Sequence, residues 1–388
     1  MLVACLRSTD PIAPPPELLQ VTSGDARLRL VLESVRHRVD GVLYAQVKGL
    51  DWPDEDGARR LRDHHVGTVA RHLQLTSELQ AITTLLNSAS IPSLALKGPV
   101  LAECTYPRPD LRSYGDIDLL IHPQDVRRAL DVLHESGAHL HAEPWAELRR
   151  TERAQLALTT RRGISLDLHW HAFNNPGVRR AFPTPTYELF ERRRQVMLLG
   201  RAVRGLGTAD ELVFLATHAA QSGGALLVWI LDLHFAAKRV TDWDDVVTTA
   251  QRRQSGLVTA VMLARARHLL ATPLPDGLLE ALSTDRSWRA LLHTLDRYRP
   301  PQRHEVGTGR LLLTSTRGTT RGSLRKLGGS IWSEAVIPFA LNKDHPWRRA
   351  LSHSGGPAVP AVPGRHLDSS KARDRFLDWV EAGSEQPG

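Results

Sequence analysis

Three aspartates occupy positions from which strand geometry would turn their side chains toward one another. In Asp-Ile-Asp-Leu-Leu-Ile at 116–121 the side chains alternate, so Asp116 and Asp118 share one face while Ile117, Leu119 and Ile121 take the other. Two carboxylates that close repel unless a cation lies between them, and a hard divalent cation does this well. Alone, the Asp-x-Asp pair also suits a solvated turn. A second stretch, Ile-Ser-Leu-Asp-Leu-His-Trp-His at 164–171, argues against that. It places Ile164, Leu166, Leu168 and Trp170 on one side and Ser165, Asp167, His169 and His171 on the other. Asp167 is then a charge at the centre of a strand, an expensive place for it without compensation. If the two strands are neighbours, Asp116, Asp118 and Asp167 converge. Three such carboxylates can hold paired Mg2+ or Mn2+ ions for in-line phosphoryl or nucleotidyl displacement. Asp167 is then placed to accept the proton of the attacking hydroxyl.

The elements that must position these residues follow from the hydrophobic period. Helical spacing is expected over 25–49 and again over 55–89, with Val66, Val69, Leu73, Leu75, Leu79, Ile82 and Leu85 on one side. A short strand at 93–97 leads into Gly98-Pro99, which opens a helix through about Tyr106. A loop from 107 to 115 carries Arg112 toward the aspartates. A helix from Gln124 to about Ser136 ends at Gly137, a weak strand covers 138–141, and 154–160 with 164–171 read as a hairpin. From Tyr187 onward the signal is helical: 187–195, 208–222, 225–239, 243–253 and 256–271. An amphipathic helix over about 369–382 closes the chain.

The fold class expected is α/β (α+β), a small mixed sheet with helical regions on both sides. Six segments are expected: an extended segment 1–23, a helical region 24–90, a catalytic core 91–185, a helical domain 186–285 closing over the site, a basic segment 286–350, and a Pro/Gly linker with the final helix over 351–388.

Several stretches resemble one family. Leu-Lys-Gly-Pro-Val-Leu-Ala-Glu-Cys-Thr-Tyr at 96–106, Leu-Arg-Ser-Tyr-Gly-Asp-Ile-Asp-Leu-Leu-Ile at 111–121 and Leu-Asp-Leu-His-Trp at 166–170 are similar to the uncharacterised nucleotidyltransferase family of the polymerase-β-like superfamily. His218, Trp-Ile-Leu-Asp-Leu at 229–233 and Asp-Trp at 242–243 extend the likeness over about residues 70–270. The resemblance implies a nucleotidyltransferase core with Asp116 and Asp118 as metal ligands, Asp167 as the third carboxylate, and helices closing over a nucleoside triphosphate (NTP). The wider superfamily has a Gly-Ser pair where this chain has Lys97-Gly98-Pro99. Gly98 still permits close phosphate approach, Pro99 removes one N–H donor, and Lys97 offers a positive charge in place of the hydroxyl. Lys97, Gly98 and Arg112 are therefore the nucleotide-binding candidates, and His169, His218 and Asp232 candidates for a supporting shell. His218 and Asp232 sit on successive helices and are weighed as a hydrogen-bonded pair. Trp229, Trp243 and Trp288 are assigned to core.

Composition sets the outer limits. The chain has 388 residues, hydrophobic 41% and charged 24%, which excludes wholesale disorder. Two cysteines, Cys5 and Cys104, exclude a disulfide scaffold or a cysteine zinc site and fit a reducing cytoplasm. No apolar run approaches the roughly 20 residues a bilayer span needs, so no membrane insertion is expected. Between Arg286 and Arg349 thirteen basic residues face four acidic ones, a field that attracts polyanions. Only six of the 50 basic residues are lysines, and aromatic interleaving is thin, so a nucleic-acid partner is not favoured. The expected reaction moves a nucleoside monophosphate (NMP) from an NTP to a small metabolite, modified peptide or protein, releasing pyrophosphate. A non-catalytic binding or regulatory module and an RNA-directed transferase are the alternatives.

Overall fold

The computed structural model describes residues 1–7, 13–21, 23–50, 55–141, 145–298, 308–335 and 370–383. Seven strands form one sheet: β1 (Ser93–Ala95), β2 (Asp116–Ile121), β3 (His139–Leu140), β4 (Gln155–Thr159), β5 (Ser165–His169), β6 (Arg194–Leu198) and β7 (Arg201–Gly205). Their spatial order is β3-β4-β5-β2-β1-β7-β6. β2 runs parallel to β5 and antiparallel to β1, while β4–β5 and β6–β7 are hairpins. The sheet is therefore mixed, as expected, with helices on both faces.

The alternation in β2 and β5 decides which core each face joins. Ile117 and Leu119 lie in register with Leu166 and Leu168 on one face, and Ile121 continues that face of β2. They bury against Leu75, Leu79, Ile82 and Leu86 of the helix Glu55–Ser88 and against Leu130 and Leu133 of the helix Val126–Glu135. Phe376, Leu377 and Val380 of the final helix, Ser370–Ala382, complete this layer. Phe376 packs on Trp145 and Trp170, and Arg127 pairs with Asp374, Asp378 and Glu381 on the outer side. Leu94, Leu96 and Leu120 on the opposite face belong to a second, larger core. It is built mainly by the helices Thr208–Gln221, Leu227–Arg239, Trp243–Arg252 and Gly256–Leu270. The aspartate face of β2 and β5 thus looks toward the helical layer.

Three stretches depart from the sequence reading. Helix was expected over 187–195, but only Thr186–Glu191 is helical and β6 begins at Arg194. The β6–β7 turn is Leu199-Gly200, both at positive φ (43° and 80°). A tight hairpin needs that geometry, but Leu in place of Asn or Asp hides its usual signature. Leu2–Arg7 is helical rather than extended, and Pro16–Leu19 adds a single turn. The helix expected over 25–49 breaks at residues 37–39, giving Gly24–Arg36 and Asp40–Val47.

The first part of the basic segment is woven into the larger core. The helix Arg286–Tyr298 buries Trp288 and Leu292, and its Asp296 holds the buried Arg265 at 2.6 Å. The Pro/Gly linker expected at 351–365 lies outside the described residues. Among the described residues no helix is long and apolar enough to cross a membrane.

Candidate functional site

Parallel pairing of β2 with β5 sets Asp116 beside Ser165 and Asp118 beside Asp167. Register partners in a sheet project to the same face about 4.8 Å apart, so all three aspartates share one surface. Within it Asp118 and Asp167 are joined by His169, a strand position further along the same face. Ligand-capable atoms of Asp118, Asp167 and His169 all lie within 4.8 Å of one another. Asp116 stands on the same face without entering that tight group. His169, expected in a supporting role, therefore approaches the aspartates as directly as they approach each other. Its Nε2 is 3.3 Å from Asp118 Oδ1, and its buried Nδ1 has no hydrogen-bond partner.

Lys97 reaches the same point from the neighbouring strand. The Leu96 N–H donates to the Asp118 carbonyl (3.1 Å), continuing the β1–β2 ladder one residue and delivering Lys97 above Asp118. Lys97 Nζ lies 3.1 Å from Asp118 Oδ1. Burial opposes the lysine's charge, but Asp118, Asp116 and Asp167 together outweigh it and raise the ammonium above its usual range. Burial likewise opposes ionisation of Asp118, yet Lys97 and His169 hold this carboxyl well below the ordinary carboxylate range. Asp116 moves the other way, raised by the Asp118 charge and by burial against Lys97, Arg38 and Arg112. Burial, with Asp118 adding to it, lifts Asp167 to about 6.

Next to Lys97, Gly98 adopts φ 64° and ψ −120°. A Cβ there would sit 3.2 Å from the Asp116 carbonyl and 3.5 Å from the Tyr114 ring, so backbone alone fits. Pro99 follows as the first residue of a six-residue helix, Pro99–Cys104. With one N–H removed and a helix so short, Lys97 offers more attraction to a phosphate than the helix end does.

The remaining candidates separate into different roles. Arg112 does not project freely: its Nε and Nη2 donate to Asp232 at 2.8 and 3.0 Å, while Nη1 is buried without a partner. Asp232 also accepts from Tyr106 Oη at 2.6 Å, a contact no sequence spacing signals. The pair weighed between His218 and Asp232 does not form. Asp232 is spent on Arg112 and Tyr106, whereas His218 lies between Phe214 and Trp229. Burial first, then Lys97, lowers His218 to about 3, so it is a neutral imidazole near the acid face.

A strand-borne carboxylate triad of this order, following a Lys-Gly turn and backed by helices, is the arrangement that the sequence resemblance implies. A family model described as uncharacterised nucleotidyltransferase matches residues 28–271. The chain belongs to that family, within the polymerase-β-like superfamily. The match begins in the helix Gly24–Arg36 and ends just past Gly256–Leu270, so it takes in both the sheet and the helical layer facing the aspartates. No curated protein matches the chain.

The donor set of this nucleotidyltransferase-like site fits a divalent cation: two carboxylates and an imidazole nitrogen on rigid neighbouring strands. One consequence concerns pH. Without metal, Asp167 holds a proton below about pH 6, and a cation bound there must displace it. Apparent Mg2+ affinity is therefore expected to fall roughly tenfold per pH unit below about 6 and to level off above about 7. Calorimetry in buffers of different ionisation enthalpy measures both affinity and protons released. Affinity unchanged across that range would remove Asp167 from the ligand set.

Proposed function

We propose that this chain transfers a nucleoside monophosphate from an NTP to an acceptor hydroxyl, phosphate or amine, with release of pyrophosphate. The observation that carries the reading is the β2–β5 register, which lines Asp118 up with Asp167 and keeps Asp116 on the same face. Asp116, Asp118, Asp167 and His169 are the residues that would hold Mg2+ or Mn2+. When bound, such ions supply charge neutralisation at the phosphates and a more acidic acceptor hydroxyl. Asp167, on the strand next to Asp118, is the carboxylate placed to take the acceptor's proton. Lys97 places a positive charge beside the turn at Gly98, where the absence of a side chain lets a phosphate come close to the backbone. Neutral His218 can hydrogen-bond a substrate without adding charge. The acceptors we favour are a small metabolite, a modified peptide or a protein, and the two unpaired cysteines suit a cytoplasmic setting.

One observation favours a second reading. The Lys97 ammonium sits on Asp118, where a cation would bind, and Pro99 replaces a donor residue. A non-catalytic nucleotide-binding module would be built this way. Incubation with each NTP, Mg2+ and candidate acceptors separates the two. Metal-dependent pyrophosphate release with an NMP mass addition, absent in Asp167→Asn and with chelator, supports transfer. Nucleotide binding with no pyrophosphate from any NTP supports the module. For an RNA-directed enzyme, RNA binding should weaken steeply with salt.

A further inference from the structure

The nucleotide site leaves the later part of the basic segment without a role. From Thr308 to Trp332 the chain carries five basic residues and no acidic one. It forms two helices, Thr308–Thr314 and Thr320–Ala335. The first is absorbed into the larger core through Leu312 and Leu313. The second is fastened at its start. Thr320 N–H and Oγ1 both donate to Asp285, and Thr320 Oγ1 accepts the Trp288 N–H at 3.1 Å. Ser323 Oγ donates to the Thr319 carbonyl at 2.8 Å and accepts the Arg317 N–H at 2.9 Å.

The helical period then divides the side chains of Thr320–Ala335. Ser323 is buried and Leu327 packs against the larger core, so their side of the helix faces the protein. Leu324, Ile331 and Trp332 turn away from it, with 54%, 48% and 64% of their surface exposed. At about 100° per residue, Arg321, Leu324, Arg325, Gly328, Ile331 and Trp332 fall within about a third of the helix circumference. A Cβ at Gly328, in the middle of that arc, would have nothing within 4 Å, so the arc is open. Arg321 and Arg325 are exposed and form no ion pair among the described residues. The arc is therefore an apolar patch bordered by unspent guanidinium groups. Nucleic-acid phosphates need only the arginines, and base stacking needs more than one aromatic ring. Leucine, isoleucine and tryptophan beside arginine instead match a layer with an anionic surface and a hydrocarbon interior. Tryptophan sits well at such a boundary, and arginine can lay its stem on the apolar side while its head meets phosphate.

We propose that the exposed face of Thr320–Ala335 seats the protein on an anionic lipid surface, with Leu324, Ile331 and Trp332 entering the headgroup boundary and Arg321 and Arg325 meeting lipid phosphates. The helix lies on the bilayer and does not span it, since its other side is held by the protein. The assignment is independent of the nucleotidyl-transfer reading. Sedimentation of the full chain tests it, with vesicles of equal parts phosphatidylglycerol and phosphatidylcholine and with phosphatidylcholine alone. Wild type is compared with Ile331→Ser/Trp332→Ser and with Arg321→Gln/Arg325→Gln. Wild type should bind the mixed vesicles about tenfold or more tighter than phosphatidylcholine alone, and each double variant should bind them about tenfold or more weaker. The replaced side chains face solvent, so both variants should melt within about 2 °C of wild type. A larger fall would mean that the face is covered within the protein, and overturns the assignment. Binding weakened by the arginine pair but not by the Ile331/Trp332 pair also overturns it, because attraction without apolar contact is then enough. Wild type that binds neither vesicle, or that binds RNA in their place, overturns it as well.

Discussion

Asp118→Asn is expected to reduce NMP transfer by about 10³-fold or more while the protein stays folded. Asp118 is the point at which Lys97, His169 and Asp167 meet. Its Oδ1 is 3.1 Å from Lys97 Nζ and 3.3 Å from His169 Nε2, and its register partner is Asp167. Asparagine keeps the shape and one carbonyl oxygen but loses the charge that binds a divalent cation. Single-turnover transfer and Mg2+ calorimetry on the same preparation should fall together. Transfer within about tenfold of wild type would mean that the acid face is not where the chemistry occurs.

A loss of activity has a trivial explanation if the variant is simply unstable, and here the charges make that a real concern. Removing Asp118 takes away the nearest partner of the largely buried Lys97, and an uncompensated buried charge costs several kcal/mol. Asp116 and Asp167 remain to offset part of it, so Asp118→Asn alone is expected to cost about 1–3 kcal/mol. Asp118→Asn with Lys97→Met removes both charges and should recover stability without recovering transfer. Denaturant midpoints give the first quantity and pyrophosphate release the second. Stability and activity recovering together would make the Asp118–Lys97 pair a structural device only.

The sheet was legible where side-chain alternation and burial agree. Ile117, Leu119, Ile121, Leu166 and Leu168 all face one core, so the same period that predicts the strands also orients Asp116, Asp118 and Asp167. His169 was legible as a same-face neighbour, but its closeness to Asp118 depends on the parallel register, which a single strand's sequence does not encode. Arg112 reads from the sequence as a loop cation for phosphate or for an aspartate, and nothing local points to Asp232, 120 residues away, as its partner. The β6–β7 hairpin escaped for a local reason, since Leu199-Gly200 carries the turn without the residues that usually announce one.

Asp232→Ala is expected to be among the most destabilising single changes near the site, by about 3–5 kcal/mol. Asp232 is buried on Leu227–Arg239 and neutralises Arg112 while accepting from Tyr106. Its loss strands a buried guanidinium and a buried hydroxyl, and the melting temperature should fall by about 5–10 °C. The same pair decides what Arg112 is for. Arg112→Met with Asp232→Leu, made in a Tyr106→Phe background so that no hydroxyl is stranded, removes both charges, and a buried pair replaced by apolar side chains is often close to neutral in stability. If Arg112 only fastens the loop to the helical layer, this combined variant should recover both stability and transfer. If its unpartnered Nη1 meets a substrate phosphate, stability should return while NTP binding stays weakened by about tenfold or more. The second outcome would place Arg112 beside Lys97 in the nucleotide site; the first would make it a positioning residue whose effect on transfer is carried entirely by the loop that enters β2.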